Sequence, residues 1–491
     1  MKMFRTRCWA VLAALLLVVV GCSPTPMRLD RLPEVGVESS FKPVAPEQWH
    51  LANGMTVLYL RDRELPLVRG NLFLAGGALW EPADKPGVIT AIGDQMRQGG
   101  AGARSADELD RALEVLSASI GSSFGNEYGN VSFSCLVSDL DEVFEMFADV
   151  VRRPRFEGGR LALWKGQALE SIRRRSDDAG TVAGITFNQL LYGASPYARY
   201  LTQAEVQRIS RADLTAEHRR AVRPDHSILF ITGDVDRARV EELITRHLGD
   251  WVMAGLPRPV PPPVDAAPRP GVYFVELPFV QATIYLGHLS VPRLTPDYPA
   301  IDGFNEIFGA GGFGSLLMRK IRAELGLAYG IYGSIVPGPV RGRNVVAVQT
   351  KGESAGQALV ETLNLLVGMQ LEPVEAERIA EMQRSIRNSF VFKFDAPDDV
   401  LTRRASQMFL GYPTDYDETY LPRIGAVTPE DVRAVAERRW SLAEMVVTVV
   451  GDQRAYEALT AAAAAPSWPL PSRTVTRIEF DEVPRLPPTT P

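Results

Sequence analysis

Hydrophobic positions along this chain follow two alternating patterns. Short apolar runs rich in β-branched residues, Ile228-Leu-Phe-Ile-Thr-Gly233 and Val446-Val-Thr-Val-Val-Gly451 among them, predict buried strands. Elsewhere apolar residues recur every three or four positions. Leu109, Ala112, Leu113 and Leu116 follow the capping box Ser105-Ala-Asp-Glu108, which predicts a helix with that stripe toward a core. Leu317, Ile321 and Leu325, spaced four apart, predict a second helix opened by the glycine-rich turn 309–314. Gly326 stands where a helix end wants a left-handed residue, and Leu327 supplies its apolar partner. In the strand that follows, Tyr329, Ile331 and Ile335 share one face, and the turn brings Arg322 toward Tyr329. Strands alternating with amphipathic helices predict an α+β fold, each sheet with helices packed on one face.

The pattern occurs twice. Seven prolines between Pro257 and Pro270 mark residues 252–270 as a stiff linker. On its N-terminal side Ser210 precedes a helix and the strand ending at Gly233; on its C-terminal side Thr428 does the same before Gly451, 23 residues from cap to glycine in each case. The opening strands also match, Asn71-Leu-Phe-Leu-Ala-Gly against Thr283-Ile-Tyr-Leu-Gly-His. A repeat of roughly 210 residues is too long for a solenoid and indicates two homologous half-domains, 46–251 and 271–460, each with a mainly antiparallel sheet. Residues 461–491 form an Ala/Pro-rich tail carrying Trp468, a composition suited to lying along a partner or staying unfolded.

Composition adds an address. Residues 1–21 read as a leader, with Lys2, Arg5 and Arg7 ahead of an apolar run from Ala10 to Val20 too short for a comfortable membrane span. The run ends Val-Val-Gly-Cys22, similar to a bacterial lipobox, so Cys22 is the expected lipidation site and 22–45 a tether. Ser23 after it favours the outer membrane, facing the periplasm. Of three cysteines only Cys135 is left, which predicts a buried small hydrophobe and no internal disulfide. The net charge of −6 becomes −9 without the leader's three basic residues, and no Lys/Arg run exists, which argues against nucleic acid as a partner.

Residues 304–335, with the landmarks Leu51-Ala-Asn-Gly-Met-Thr-Val, Ala75-Gly-Gly-Ala-Leu-Trp-Glu81-Pro, the Leu-Tyr-Gly-Ala-Ser-Pro-Tyr run at 191–197 and Gly233-Asp234-Val-Asp, give the chain from about 47 to 455 a specific likeness. It resembles the pitrilysin/insulinase family of zinc peptidases, which includes the mitochondrial processing peptidase. The resemblance implies two half-domains closing as a clamshell around a chamber. It also implies that Arg322 and Tyr329, which match the family's Arg and the Tyr of its Gly-Leu-Ala-Tyr run, hold the backbone of a bound peptide.

The same resemblance exposes a loss. Two histidines four apart on a helix with a glutamate beside them suit a hydrolytic zinc, and the family supplies these as His-x-x-Glu-His plus a distant Glu. The matching stretch here is Gly87-Val-Ile-Thr-Ala-Ile-Gly-Asp-Gln-Met-Arg-Gln-Gly99. Its ligand positions hold Thr90 and Asp94, its general-base position Gly93, and counting 77 residues from Asp94 to the distant ligand reaches Ser171. No metal is therefore expected in this chain. The five histidines, His50, His218, His226, His247 and His288, have no helical ligand spacing, although His218 and His226 suggest a two-histidine site. No Gly-x-Ser-x-Gly elbow or phosphate loop is present.

The resemblance implies a subunit that grips peptide while a partner chain with intact His-x-x-Glu-His carries the zinc, acting on peptide or unfolded polypeptide, with a lipid anchor in the envelope membrane. Two other readings remain at this level: a non-catalytic scaffold or peptide-binding envelope lipoprotein, and a self-sufficient enzyme with a relocated metal site.

Overall fold

The computed structural model describes residues 44–480 apart from 253, 254, 256, 265 and 266. The leader, Cys22 and nearly all of the tether lie outside the described residues.

Strands β1 (Glu47–His50), β2 (Thr56–Arg61), β3 (Leu67–Ala75), β4 (Ser119–Phe124), β5 (Tyr128–Leu136) and β6 (Ile228–Gly233) form one sheet in the order β1-β2-β6-β3-β5-β4. Strands β7 (Gly271–Glu276), β8 (Gln281–Leu289), β9 (Gly330–Val336), β10 (Arg343–Lys351), β11 (Val446–Gly451) and β12 (Val475–Arg477) form the other, in the order β12-β7-β11-β8-β10-β9. Five positions correspond, β2-β6-β3-β5-β4 to β7-β11-β8-β10-β9, which is the duplication in three dimensions; the outer β1 and β12 differ, antiparallel and parallel to their neighbours. Most pairs are antiparallel; the late strand of each half, β6 or β11, inserts parallel to β2 or β7. Every residue of β6 and β11 is buried, because each lies inside its sheet and is covered on both faces.

On one face each sheet carries helices of its own half. In the first half these bury Leu109, Leu113, Phe144 and Phe147 against Val57, Leu72 and Val131. Ser105 makes the predicted capping box, and Cys135 is buried in β5 with its thiol pushed up to about 12 by desolvation.

The second face of each sheet is covered by a helix from the other half. Helix Ala179–Tyr192 leaves the first half and lays Phe187, Leu190 and Leu191 on Leu289, Val345 and Val446 of the second sheet. Helix Pro397–Leu410 returns the arrangement, packing Leu401, Ala405 and Phe409 on Leu58, Phe73, Ile228 and Phe230 of the first. Polar contacts fix the exchange: Thr448 donates to the Ala183 carbonyl at 3.3 Å, Arg343 donates to Asn188 at 2.6 Å, and Arg293 pairs with Glu127 across the halves. The linker is tied down as well. Trp80 Nε1 donates to the Val260 carbonyl at 2.7 Å, and the Arg258 guanidinium lies 4.7 Å from the centre of the Phe409 ring.

The tail departs from expectation. It pairs with its own chain, Val475–Arg477 running parallel to β7 as the outermost strand of the second sheet. The cause is local: Trp468 and Leu470 are buried in the second core, and Arg473 donates to the Ala463 and Ala465 carbonyls at the end of helix Gln453–Ala464.

Candidate functional site

Two regions bear on function, one in each half. The first is helix Val88–Gln98, which carries the positions that the resemblance matches to a zinc motif. Glu81 fixes its start by accepting the Gly87 N–H at 2.9 Å, and burial raises that carboxyl to about 7. Thr90 is exposed and Gly93 is buried. Asp94 accepts the indole N–H of Trp164 at 2.8 Å, a bond that ties helix Gly158–Arg173 to helix Val88–Gln98. Ser171 lies exposed two turns beyond Trp164, next to Glu170, which is taken up by Arg173 and Arg174. The one carboxylate left in the motif therefore serves packing.

At the general-base position the backbone itself leaves no room. A Cβ on Gly93 would stand 2.5 Å from the Phe124 nitrogen in β4. The strand lies directly against the helix, and the Ser122 hydroxyl bridges the Gly93 carbonyl and the Arg97 N–H. Gly93→Ala is expected to cost about 1–3 kcal/mol of stability through overpacking. Rebuilding the motif with Thr90→His, Gly93→Glu and Asp94→His is expected to give no stoichiometric zinc; denaturant melts and metal analysis of the purified variants check both.

The histidines provide no substitute. His218 is buried, donates from Nε2 to the Val151 carbonyl at 2.9 Å, and is held down to about 4 by desolvation, so it is neutral and committed at neutral pH. His226 occupies a left-handed position in the turn before β6, with φ +63°. His288 accepts the Ser441 N–H at 3.0 Å within the second core. Among the described residues no group of three His, Cys, Asp or Glu side chains could hold a metal ion. No helix among them is long and apolar enough to cross a membrane.

The second region is the predicted helix–turn–strand of the second half. Helix Tyr298–Asn305 continues as a wider i→i+5 turn, Glu306–Ala310, and a second such stretch spans Met318–Glu324. Widening corrects the predicted stripe. Leu317 and Ile321 are fully buried, but Leu325, bonded through its N–H to the Lys320 carbonyl at 3.0 Å, turns outward and is 38% exposed. The predicted helix end does form: Gly326 has φ +64°, and the Leu327 N–H reaches the Ile321 carbonyl at 2.9 Å. Gly309 lies so close to β9 that a Cβ there would meet the Gly333 nitrogen at 2.4 Å, and Asn305 exchanges two hydrogen bonds with Ile335. The turn is thus held to the outer strand of the sheet.

On this frame Arg322 and Tyr329 both face solvent. Tyr329 does not join Ile331 and Ile335 in the core. It stands one residue before the strand, its N–H fixed to the Gln349 carbonyl at 2.8 Å, and its side chain is 50% exposed. Arg322 places its guanidinium 5.2 Å from the ring centre of Phe313, which is itself 77% exposed. Among the described residues neither the Arg322 nor the Tyr329 side chain makes a hydrogen bond or ion pair. The sequence reading overlooked Phe313 and the outward Tyr332; Tyr332 was legible from alternation against Ile331, and Phe313 from being the one aromatic in a glycine turn.

These observations join what comparison with known proteins finds. Residues 56–181 match the family described as insulinase (peptidase family M16), and residues 208–386 match the peptidase M16 inactive domain. An uncharacterised zinc protease of Mycobacterium leprae is 26% identical over 345 residues, 68% of this chain and 76% of that protein. A non-peptidase homologue of Helicobacter pylori is 20% identical over 412 residues, 81% of this chain and 92% of that protein. A solved M16 inactive domain from Pseudomonas fluorescens shares the fold with a TM-score of 0.73 at 23% identity, covering 84% of this chain and 99% of that one. The periplasmic protease PqqL of Escherichia coli gives 0.71 at 16% identity, over 86% of this chain and 48% of its own. The chain belongs to the insulinase family, peptidase family M16. Within that family it is an inactive peptidase homologue, its sequence holding no His-x-x-Glu-His run.

Proposed function

We propose that this chain is the non-zinc subunit of a two-chain peptidase, lending Arg322 and Tyr329 to an active site whose zinc is bound by a partner with His-x-x-Glu-His. The observation that carries the reading is a contrast. A side chain at Gly93 would collide with β4, whereas the Arg322 and Tyr329 side chains stand in solvent with their polar groups unspent. A substrate peptide joins as an added strand, for which β4, one of the two outer strands of the first sheet, offers an edge. Arg322 donates to a peptide carbonyl beside the scissile bond, and Tyr329 donates as negative charge develops on it. The partner's zinc supplies the activated water. Acylation of Cys22 would hold this assembly at the envelope membrane.

Capture of the tagged protein from its native membrane in mild detergent, with mass spectrometry of what accompanies it, tests the reading. A stoichiometric partner carrying His-x-x-Glu-His is the expected result. Recovery alone, or only with structural proteins of the envelope, overturns it in favour of a scaffold.

A further inference from the structure

The second half holds a cavity of about 420 Å³ that the peptide grip does not use. It opens between helices Tyr298–Asn305, Pro397–Leu410 and Tyr416–Gly425, beside the turn Val391–Phe394. Four tyrosines, Tyr298, Tyr412, Tyr416 and Tyr420, converge there. The Tyr412 and Tyr416 rings meet edge to face at 4.7 Å, and Tyr416 leans on Tyr420 at 5.9 Å.

The charged groups of the lining are largely spoken for. Arg403 pairs with Asp417, which also accepts from Gln407 Nε2 at 2.7 Å, and the Tyr420 hydroxyl donates to Asp302. The hydroxyls are not. Among the described residues those of Tyr298, Thr402, Ser406, Tyr412 and Tyr416 have no hydrogen-bond partner, and burial pushes the Tyr298 and Tyr416 phenols up, keeping them protonated donors.

This inventory selects against ions. A free anion would meet Asp302 and Asp399 as well as Lys393 and Arg403. A cation would meet Lys393 and Arg403 in the same lining, with the Lys393 ammonium already 5.5 Å from the Tyr420 ring centre. Several hydroxyls that can each donate and accept, set among ring faces, suit a ligand that is itself polyhydroxylated with apolar C–H faces. We propose that this cavity binds a neutral saccharide of one or two pyranose rings, seated on the tyrosine rings and hydrogen-bonded by their free hydroxyls.

Titrating the full-length protein calorimetrically with maltose, cellobiose and diacetylchitobiose tests this, with choline and phenylpropionate as the cationic and anionic comparators. At least one disaccharide is expected to bind with a Kd of about 1 mM or tighter. Tyr416→Phe and Tyr412→Phe, which keep the rings and the packing, are each expected to weaken it about tenfold. Thermal melts of both variants confirm that the fold survives. The proposal is overturned if no saccharide binds by about 10 mM, if choline or phenylpropionate binds in their place, or if saccharide binding is indifferent to both hydroxyl deletions.

Discussion

In the two-chain complex proposed above, Arg322→Ala is expected to lower kcat by about a hundred- to a thousandfold, the scale on which a donor to a developing oxyanion acts. Assembly and zinc content should be unchanged. The separation of effects follows from where the side chain stands. Arg322 is exposed and touches the ring of Phe313 but no acid, so its removal should change stability by less than about 0.5 kcal/mol. Arg322→Lys keeps the charge but loses the planar fork, and should recover only part of the rate. Tyr329→Phe removes the donor that meets the developing charge and should cost a similar factor, about a hundred- to a thousandfold, the loss of one oxyanion donor. Single-turnover kinetics on the purified complex, beside zinc analysis and size-exclusion chromatography, provide the readout. Unchanged turnover in both Arg322→Ala and Tyr329→Phe would remove these residues from the active site.

The largest expected loss of stability comes from the exchanged helices. Phe187→Ala should cost about 3–5 kcal/mol and Leu401→Ala about 2–5 kcal/mol, since both are fully buried at the centre of an apolar contact. The location of the damage is the sharper test. Phe187 belongs by sequence to the first half but packs on the second sheet, so backbone hydrogen exchange should rise in β8, β10 and β11. Leu401→Ala should raise it in β2, β3 and β6. Exchange that rises only in the half carrying the mutation would mean the crossed contacts do little for stability.

What the sequence disclosed, and what it hid, divides by the range of the interaction. The Ser105 capping box, the Gly326 helix end, the buried strands and the duplication depend on neighbours within a few residues or on a repeated pattern, and all are in the structure. The absence of a His-x-x-Glu-His run was legible as missing residue types. Its structural counterpart was not: that β4 crowds Gly93, and that Asp94 is held by Trp164, depend on contacts 29 to 70 residues apart. The stripe at Leu317, Ile321 and Leu325 misled at its last position because i→i+5 bonding widens the helix, and spacing cannot reveal that. The helix exchange was hidden for a related reason. Helix Ala179–Tyr192 has apolar residues around much of its circumference, which marks it as buried without naming the surface that buries it. The tail's own pairing depends on Trp468 finding a core, a contact its composition does not encode.

The crossed helices also set an order of events during synthesis. The first sheet has all six of its strands once residue 233 is made, yet the helix that covers its second face ends at Leu410. Until then Leu58, Phe73 and Phe230 look out on water, and a lone first half is a sticky intermediate. Whether the chain emerges from a ribosome or from a translocation pore, a chaperone has its longest opportunity in that interval. A premature stop anywhere in the second half would leave a product fit for degradation rather than a smaller working domain.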